Sequence, residues 1–121
     1  MKKFIVFLAL QLTLITQAQV STISLDDIAT HEGQVVTICE KVTGTHQTNG
    51  NNVFLNFGKP FPNHAMTIVI FAKDLPHFSY EPKTFLLEKT ICVTGKIISY
   101  KGKFEIIVNK EEDIVIASKP Q

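Results

Sequence analysis

The hydrophobic residues of the segment Gln34–Thr43 recur at every second position, which is the period of a β-strand. Val36 and Ile38 fall on one face of this predicted strand, whereas Val35 and Cys39 fall on the other. The same alternation predicts four further strands and one short final pairing, at Val53–Phe57, Met66–Phe71, Thr90–Ser99, Phe104–Asn109 and Ile114–Ile116.

Short polar segments separate most of the predicted strands. Thr48–Asn52 is a turn cluster in which we expect Gly50 to take a positive φ, and Tyr100–Lys103 predicts a hairpin turn. Before the first strand, Ser24–Asp27 has the capping and acidic residues of a helix start. That helix is expected to be short, because Gly33 ends it.

One longer connection lies between the third and fourth predicted strands. There Lys73–Ser79 predicts a helical turn, and Glu81–Pro82 is interpreted as irregular. Five strands without a long helix predict an all-β protein, namely a small five-stranded Greek-key barrel of the OB type. A short N-terminal helix precedes this barrel, and a short segment joins strands 3 and 4. A small open sandwich is the alternative that periodicity leaves open.

Residues 1–18 lack the alternation and have the pattern of a secretory signal peptide. Met1–Lys3 is positively charged, Phe4–Ile15 is an uncharged, mostly apolar run, and small residues give a cleavage position after Ala18. The apolar run is short for a membrane span, although an uncleaved anchor is the alternative. We therefore expect residues 19–121 to form a single domain that is periplasmic or extracellular, with no stable membrane span.

The charge balance argues against a strongly basic nucleic-acid interface. All twelve basic residues are lysines, and two of them leave with the predicted signal peptide. Ten lysines then face eleven carboxylates, so the exported domain has a net charge of −1. Arginine, the preferred residue for bidentate phosphate contacts, is absent from the sequence.

The two cysteines, Cys39 and Cys92, lie on the first and fourth predicted strands. These strands pair antiparallel in an OB barrel, and both cysteines alternate away from the predicted core. Cross-strand neighbours on one face are close enough to bridge, and export favours oxidation. We therefore predict a disulfide, with two free thiols as the alternative. A redox or metal role is not expected, because there is no C-x-x-C spacing.

Several segments along the chain carry a resemblance to a known group of proteins. A short helix and Gly33 come first, and the segments that follow are Val35–Cys39 (VVTIC), Phe54–Asn63 (FLNFGKPFPN), Met66–Phe71 (MTIVIF), Thr90–Ile97 (TICVTGKI) and Tyr100–Ile107 (YKGKFEII). Together they resemble the exported bacterial OB-fold domains, often described as nucleic-acid-binding, that also occur fused to secreted nucleases. The resemblance covers nearly all of residues 19–121 and implies a binding role, but it does not carry nuclease activity over. Glu40 departs from the pattern, because the similar sequences tend to carry Gly after the cysteine.

A binding site is expected on the outer face of the second and third predicted strands, where OB barrels usually bind their ligands. Alternation places Phe54, Asn56 and Phe71 on that face, and exposed rings there can stack on bases or sugars. The loop after the second strand and the later hairpin border the same face. The candidate ligand-binding residues are Phe54, Asn56, Lys59, Phe61, Asn63, Phe71, Lys96, Tyr100, Lys101 and Lys103.

The three phenylalanine candidates and the hairpin lysines each have a structural alternative. Phe54 and Phe71 can instead complete a core beneath the N-terminal helix or the connecting segment. Phe61, which stands between Pro60 and Pro62, can fill the underside of its own loop. The lysines of the hairpin can serve only as a soluble strand edge.

The remaining polar residues predict neither a metal site nor a catalytic centre. The four histidines lie on different connections without metal-ligand spacing, and no Ser, His and carboxylate set can be assembled. We therefore expect no cofactor and no enzyme activity. The predicted function is an exported binding module for single-stranded nucleic acid or oligonucleotides. The alternative is a periplasmic or extracellular adaptor that binds a protein, an oligosaccharide or another envelope macromolecule.

Overall fold

The computed structural model describes residues 19–117 and, before them, residues 3, 5, 8 and 9. The predicted signal peptide lies outside the described residues except at those four positions, and it stays a prediction. Within the described part of the chain, no helix combines the length and the hydropathy needed to cross a membrane.

Seven strands form the sheet of the described domain. They are β1 (Thr22–Ile23), β2 (Val35–Gln47), β3 (Val53–Gly58), β4 (His64–Ile70), β5 (Thr90–Tyr100), β6 (Lys103–Ile107) and β7 (Ile114–Ile116). Five of them close a barrel in the order β2–β3–β4–β6–β5, and β5 pairs back onto β2. Within this barrel β4 and β6 run parallel, whereas the other neighbours are antiparallel. The prediction of an all-β, OB-type barrel is confirmed, and the open sandwich is wrong.

The long strand β2 serves both halves of the barrel wall. Its first half, Val35–Lys41, pairs with β5. From Val42 onward it pairs with β3, with a register shift between Val42 and Gly44. The strand therefore continues to Gln47, four residues beyond the predicted end at Thr43. Such a shift lets a strand bend from one partner to the next.

Glu40, the position that departs from the similar sequences, lies in regular pairing with Ile91 of β5. The bend of β2 falls later in the strand, at the register shift, so a glycine directly after Cys39 is not needed for it.

The barrel interior is filled by the alternating hydrophobic positions that the sequence predicted. Ile38, Leu55, Ile68, Val93 and Ile106 come from the five different strands of the barrel, and each is 0% exposed. They belong to one continuous core cluster. Burial of a side chain of this size stabilises the fold by about 1.5–3 kcal/mol, so these positions define which face of each strand points inward.

The predicted disulfide between Cys39 and Cys92 is confirmed. The two residues lie directly opposite each other on β2 and β5. Their Cα atoms are 3.9 Å apart and their sulfur atoms 2.11 Å apart. The bond closes the barrel between strands whose cysteines are separated by 53 residues in sequence.

Short helical turns complete the ends of the barrel. A 3-10 helix spans Leu25–His31, and the Ser24 hydroxyl accepts a hydrogen bond from the Asp26 amide at its start, as the sequence predicted. Its residue Ile28 is buried in the core. Gly33 follows with φ +84°, which is the left-handed conformation that favours glycine.

The connection between β4 and β5 is more regular than predicted. It contains a 3-10 helix at Ala72–His77, within the predicted helical turn, and a short helix α1 at Pro82–Phe85. The interpretation of Glu81–Pro82 as irregular is therefore wrong at Pro82, which begins α1. Proline suits this position because the first amide of a helix has no partner within the helix.

The two predicted turns both form. Lys101 and Gly102 have φ of +49° and +79°, the pattern of a two-residue hairpin turn between β5 and β6. In the turn between β2 and β3, Asn51 takes the positive φ of 66° that was expected at Gly50. Asparagine tolerates this conformation better than other non-glycine residues.

Candidate functional site

An open groove of about 670 Å³ lies on the outer face of the barrel, over strands β3, β4 and β6. The second half of β2 forms one side, and the loop between β3 and β4 forms another. The β5–β6 hairpin borders the groove as well. The residues that line it are Gly44, Thr45, His46, Phe54, Asn56, Phe61, Pro62, His64, Thr67, Tyr100, Lys101, Lys103 and Glu105.

The floor of the groove contains a row of residues that are paired from strand to strand. Gly44 on β2 lies opposite Asn56 on β3, Asn56 lies opposite Thr67 on β4, and Thr67 lies opposite Glu105 on β6. The Thr67 hydroxyl donates a hydrogen bond of 3.0 Å to Oδ1 of Asn56. That bond orients the amide group, and both side chains are buried although they are on the outer face.

Aromatic rings border this floor at three places. Phe54 is half-buried, and its ring centroid is 6.2 Å from that of His46 in a tilted arrangement. Phe61 stacks on His64 at a centroid distance of 5.6 Å, with 19° between the ring planes. Tyr100 is exposed on the hairpin. Flat rings on an open surface offer faces on which a planar ligand can stack.

The loop between β3 and β4, residues 59–63, is called the proline loop because it contains Pro60 and Pro62. It holds the Phe61 ring out toward the groove. The Phe61 side chain is 75% exposed, so the alternative that it fills the underside of its own loop is wrong. The Lys103 ammonium donates hydrogen bonds to the carbonyl oxygens of Pro62, at 3.2 Å, and His64, at 2.9 Å. This lysine therefore ties the loop to strand β6 and fixes one border of the groove.

Burial changes the ionisation of two groups in the groove. Burial raises the pKa of the Glu105 carboxyl above its ordinary value. Burial lowers the pKa of His64, and the neighbouring Lys103 ammonium lowers it further. His64 is therefore neutral at pH 7, and its buried Nδ1 has no hydrogen-bond partner among the described residues.

Six of the ten candidate residues line the groove together. Asn56 lies on its floor, Phe54 borders the floor, and Phe61 lies on the loop between β3 and β4. The other three lie at the hairpin, namely Tyr100, Lys101 and Lys103. Asn56 was expected on an exposed face, but its side chain is only 6% exposed because cross-strand neighbours cover it.

The other four candidates lie outside the groove. Lys59 and Asn63 are exposed on the proline loop, but neither side chain lines the groove. Phe71 is half-buried just beyond the end of β4. Lys96 is exposed on the part of β5 that pairs with Val35 of β2. These residues share a loop or a strand with the groove without contributing to its lining.

The sequence-based prediction missed several residues of the groove. The sequence contained a signal for Glu105 and for His46, but none for His64. Phe104 and Ile106 fall on one face of the predicted strand Phe104–Asn109, so alternation alone places Glu105 on the opposite face between them. His46 follows the register shift in β2, and a longer first strand would have placed it beside Phe54. His64 begins β4 two residues earlier than predicted, and no local pattern marks it.

Metal ligation finds no support in the residues that the structure describes, since no three His, Cys, Asp or Glu side chains gather there. His46 and His64 both line the groove, whereas His31 and His77 lie elsewhere. Nδ1 of His31 is 2.9 Å from Oε1 of Gln34, and Nδ1 of His77 lies 3.1 Å from the carbonyl oxygen of Asn109. These local contacts account for both of the distant histidines.

No protein-family model matches the chain, and no curated protein matches it. Among solved structures it is similar to yeast Stn1 and Ten1, with a TM-score of 0.58 and 12% identity over 84% of this chain and 64% of that chain. The S. pombe Stn1–Ten1 complex gives a TM-score of 0.55 and 17% identity, over 71% of this chain and 60% of that chain.

A third similar structure is the asparaginyl-tRNA synthetase of Entamoeba histolytica. Its TM-score is 0.56 at 21% identity, over 87% of this chain and 25% of that chain. The chain spans less than two thirds of the length of each of these three structures. At such low identities the similarity shows the fold alone, and that fold is the OB barrel.

Proposed function

We propose that this protein is a binding module for single-stranded nucleic acid or oligonucleotides. The observation that carries the proposal is the groove over β3, β4 and β6, where Phe54, Phe61 and Tyr100 supply ring faces around a hydrogen-bonding floor. Stacking of a base on an aromatic side chain contributes about 1–3 kcal/mol and tolerates any base. The groove lies on the face through which OB barrels typically bind oligonucleotides.

The charges of the groove indicate that stacking, more than phosphate attraction, supplies the affinity. Two lysines line it, Lys101 and Lys103, and one carboxyl group, Glu105, opposes them. If each lysine neutralises one phosphate, the logarithm of affinity falls with the logarithm of salt concentration at a slope of about −1.4. We therefore expect moderate affinity with a shallow salt dependence.

Two similarities support a nucleic-acid ligand over other ligands of an OB barrel. The segments that resemble exported nucleic-acid-binding OB domains include Phe54–Asn63 and Tyr100–Ile107, and these segments supply two borders of the groove. One structural neighbour is, by its name, a tRNA synthetase. We propose a binding role without catalysis, since the contribution of each groove residue described above is to contact, stack or position.

The proposal includes export to the periplasm or the extracellular space. The positively charged residues Met1–Lys3 and the apolar run Phe4–Ile15 support it. The Cys39–Cys92 disulfide also supports it, because such bonds persist in oxidising compartments. An exported oligonucleotide-binding module would meet nucleic acid released outside the cytoplasm or a macromolecule of the envelope.

Fluorescence anisotropy with labelled single strands of about 12 nucleotides tests the binding proposal. Both DNA and RNA are titrated at about 20 mM and about 150 mM salt. We expect binding that weakens by about an order of magnitude across this range. Phe54→Ala should weaken binding about 5- to 150-fold, because one stacking face is lost.

Phe71→Ala is the matched control for Phe54→Ala. Both phenylalanines are half-buried on the same predicted face, but Phe71 lies outside the groove. Unchanged binding by Phe71→Ala would locate the effect in the groove. Equal losses in both variants, or a flat titration of the unaltered protein at the lower salt, would contradict the proposal.

An oligosaccharide is the second candidate ligand. The specific observation is that Glu105, which is half-buried, lines the same groove as Phe54, Phe61 and Tyr100. Sugars combine hydroxyl donors with apolar faces, and OB barrels also bind oligosaccharides. A glycan array, probed with the unaltered protein and with Phe54→Ala, distinguishes this ligand class. The second candidate would be favoured if the unaltered protein bound a glycan and no single strand, and if Phe54→Ala lost the glycan.

A further inference from the structure

Glu105 is a carboxylate in the floor of a groove that otherwise offers rings, hydroxyls and ammonium groups. It lies directly opposite Thr67 on β4 and Ile98 on β5, and it is half-buried. Among the described residues, the close contact between a basic and an acidic side chain joins His77 and Asp74, 3.6 Å apart, and Glu105 has no part in it. The nearby side-chain hydrogen bonds of Thr67 and Lys103 go to Asn56, Pro62 and His64 instead of Glu105. The two carboxylate oxygens of Glu105 are therefore free to accept hydrogen bonds from a ligand.

The lysine next to Glu105 on the same face of β6 is already engaged. Lys103 directs its ammonium group to the carbonyl oxygens of Pro62 and His64. The ammonium group of Lys101 lies 5.3 Å from the ring centroid of Tyr100. Neither lysine neutralises the carboxylate by an ion pair, so a ligand that carries N–H donors would find an acceptor that the protein leaves available.

The hairpin places an aromatic ring beside this acceptor. Tyr100 pairs with Lys103, so Glu105, two residues further along β6, is its diagonal neighbour. Diagonal positions across two strands are about 7–8 Å apart. Tyr100 is 58% exposed. A base that stacks on this ring can turn its hydrogen-bonding edge toward the carboxylate.

We propose that Glu105 makes the groove select guanine, by accepting hydrogen bonds from the N1–H and the N2 amino group of that base. This inference rests on the proposed function. A carboxylate only accepts hydrogen bonds, and guanine has two adjacent donors on the edge that base pairing uses. Two parallel bonds to an ionised group are short and strong.

The other bases fit a carboxylate less well. Adenine and cytosine each offer one amino donor beside a ring nitrogen whose lone pair faces the second carboxylate oxygen. Thymine and uracil offer one ring N–H between two carbonyl oxygens, which the carboxylate repels. The aromatic platforms accept every base, so the discrimination comes from Glu105.

Glu105 has a second, opposite effect on binding. Its negative charge disfavours the phosphate backbone of every ligand, whatever its sequence. Glu105→Gln should therefore strengthen binding of a strand without guanine, by about twofold, while it removes the preference for guanine. A side chain with a merely structural role would not produce changes of opposite sign.

The test uses oligonucleotides of thymidines that carry one central G, A, C, T or inosine. Anisotropy titrations of the full chain should give about tenfold tighter binding for guanine than for thymine. Inosine, which keeps N1–H but lacks the N2 amino group, should fall between the two. In Glu105→Gln the difference should shrink below about twofold.

Glu112→Gln is the charge-matched control. Glu112 is exposed and does not line the groove, so this variant should keep the guanine preference. Binding of the all-thymine strand by Glu105→Gln verifies that the variant folds. Equal binding of all central bases by the unaltered protein, or a guanine preference that survives Glu105→Gln, would overturn the inference and leave the proposed function intact. If no strand binds, the proposed function itself fails.

Discussion

The two halves of the barrel wall have the same alternation of side chains but expose different chemistry. On the β2–β5 half, outward residues bond to each other across the strands: the Thr37 and Thr94 hydroxyls are 2.7 Å apart, and Cys39 is bonded to Cys92. On the β3–β4–β6 half, outward residues such as Glu105 line an open groove.

This difference shows that an outward position acquires its role from the residue opposite it. A threonine or cysteine that lies opposite an identical residue on the neighbouring strand bonds to it and stabilises the sheet. Its polar or reactive group then has a partner within the protein. Glu105 lies opposite Thr67, whose hydroxyl already donates to Asn56, so this neighbour does not engage its carboxylate oxygens. The β2–β5 half is therefore expected to govern stability, and the other half is expected to govern binding.

Removal of the disulfide should have the largest effect on stability. Cross-linking across a separation of 53 residues restricts the unfolded chain and contributes about 4 kcal/mol. The double variant Cys39→Ala/Cys92→Ala should lose about this amount in urea denaturation. At a temperature where the variant is still folded, its affinity for single strands should be unchanged, because neither cysteine lines the groove.

The neighbouring threonine pair provides the control for the disulfide. Thr37→Ala/Thr94→Ala alters the same strands on the same face and removes one hydrogen bond, which contributes about 1 kcal/mol. A loss as large as that of the cysteine variant would show that the cross-link is not the main source of stability. Weakened binding in either folded variant would contradict the separation between the two halves.

The junction between the two halves should be the next most sensitive position. β5 pairs with β2 up to Lys96 and with β6 from Ile97 onward, and Gly95 lies two residues before Ile97, where the partner changes. A Cβ atom at Gly95 would overlap with Cγ2 of Ile106, which is fully buried. Gly95→Ala should therefore cost about 1–3 kcal/mol, because the packed core must shift.

Gly44→Ala is the matched substitution on the groove side. Gly44 lies at the register shift of β2, and a Cβ atom there would meet nothing within 4 Å. Its free energy of unfolding should change by no more than about 0.5 kcal/mol in thermal denaturation. Similar losses at both glycines would mean that close approach to Ile106 is not the reason why Gly95 is sensitive.

The sequence predicts the barrel well because its signal is local and repeated. Each predicted barrel strand carries apolar residues at alternate positions, and the full burial of Ile38, Leu55 and Ile106 shows that this alternation marks the inward face. The cysteine pair could be predicted for the same reason, since strand order and alternation together place both residues opposite each other.

The groove could be predicted only in part because its shape depends on contacts between distant segments. Lys103 binds the carbonyls of Pro62 and His64, which lie 41 and 39 residues earlier in the chain. Local spacing contains no information about such a contact. Phe71 shows the same limit: alternation predicts its face, but not how far along that face the groove extends.

The dependence of stability on pH should be the smallest effect, and it compares two carboxylates with opposite shifts. Burial in the groove raises the pKa of Glu105 above 4.5. At Glu111, the Ser79 hydroxyl and then the Ser79 amide donate hydrogen bonds that lower the pKa below 4.5. Between pH 4.5 and the raised pKa, folded Glu105 binds more protons than the unfolded chain, so its contribution to stability falls as pH rises.

The variants Glu105→Gln and Glu111→Gln should therefore respond to pH with opposite signs. Relative to the unaltered protein, Glu105→Gln should gain stability as pH rises from 4.5 through the raised pKa, because a buried charge no longer forms. The stabilising contribution of ionised Glu111 is present above pH 4.5 and is lost as pH falls through its lowered pKa. Glu111→Gln should thus be less stable than the unaltered protein near neutral pH, and the two should converge in acid.

Denaturant midpoints measured from acid to neutral pH check both signs. If the stabilities of the two variants changed with pH in the same direction, Glu105 would not lie in a less polar environment than Glu111. The contrast between the groove floor and the exposed surface would then be contradicted at Glu105.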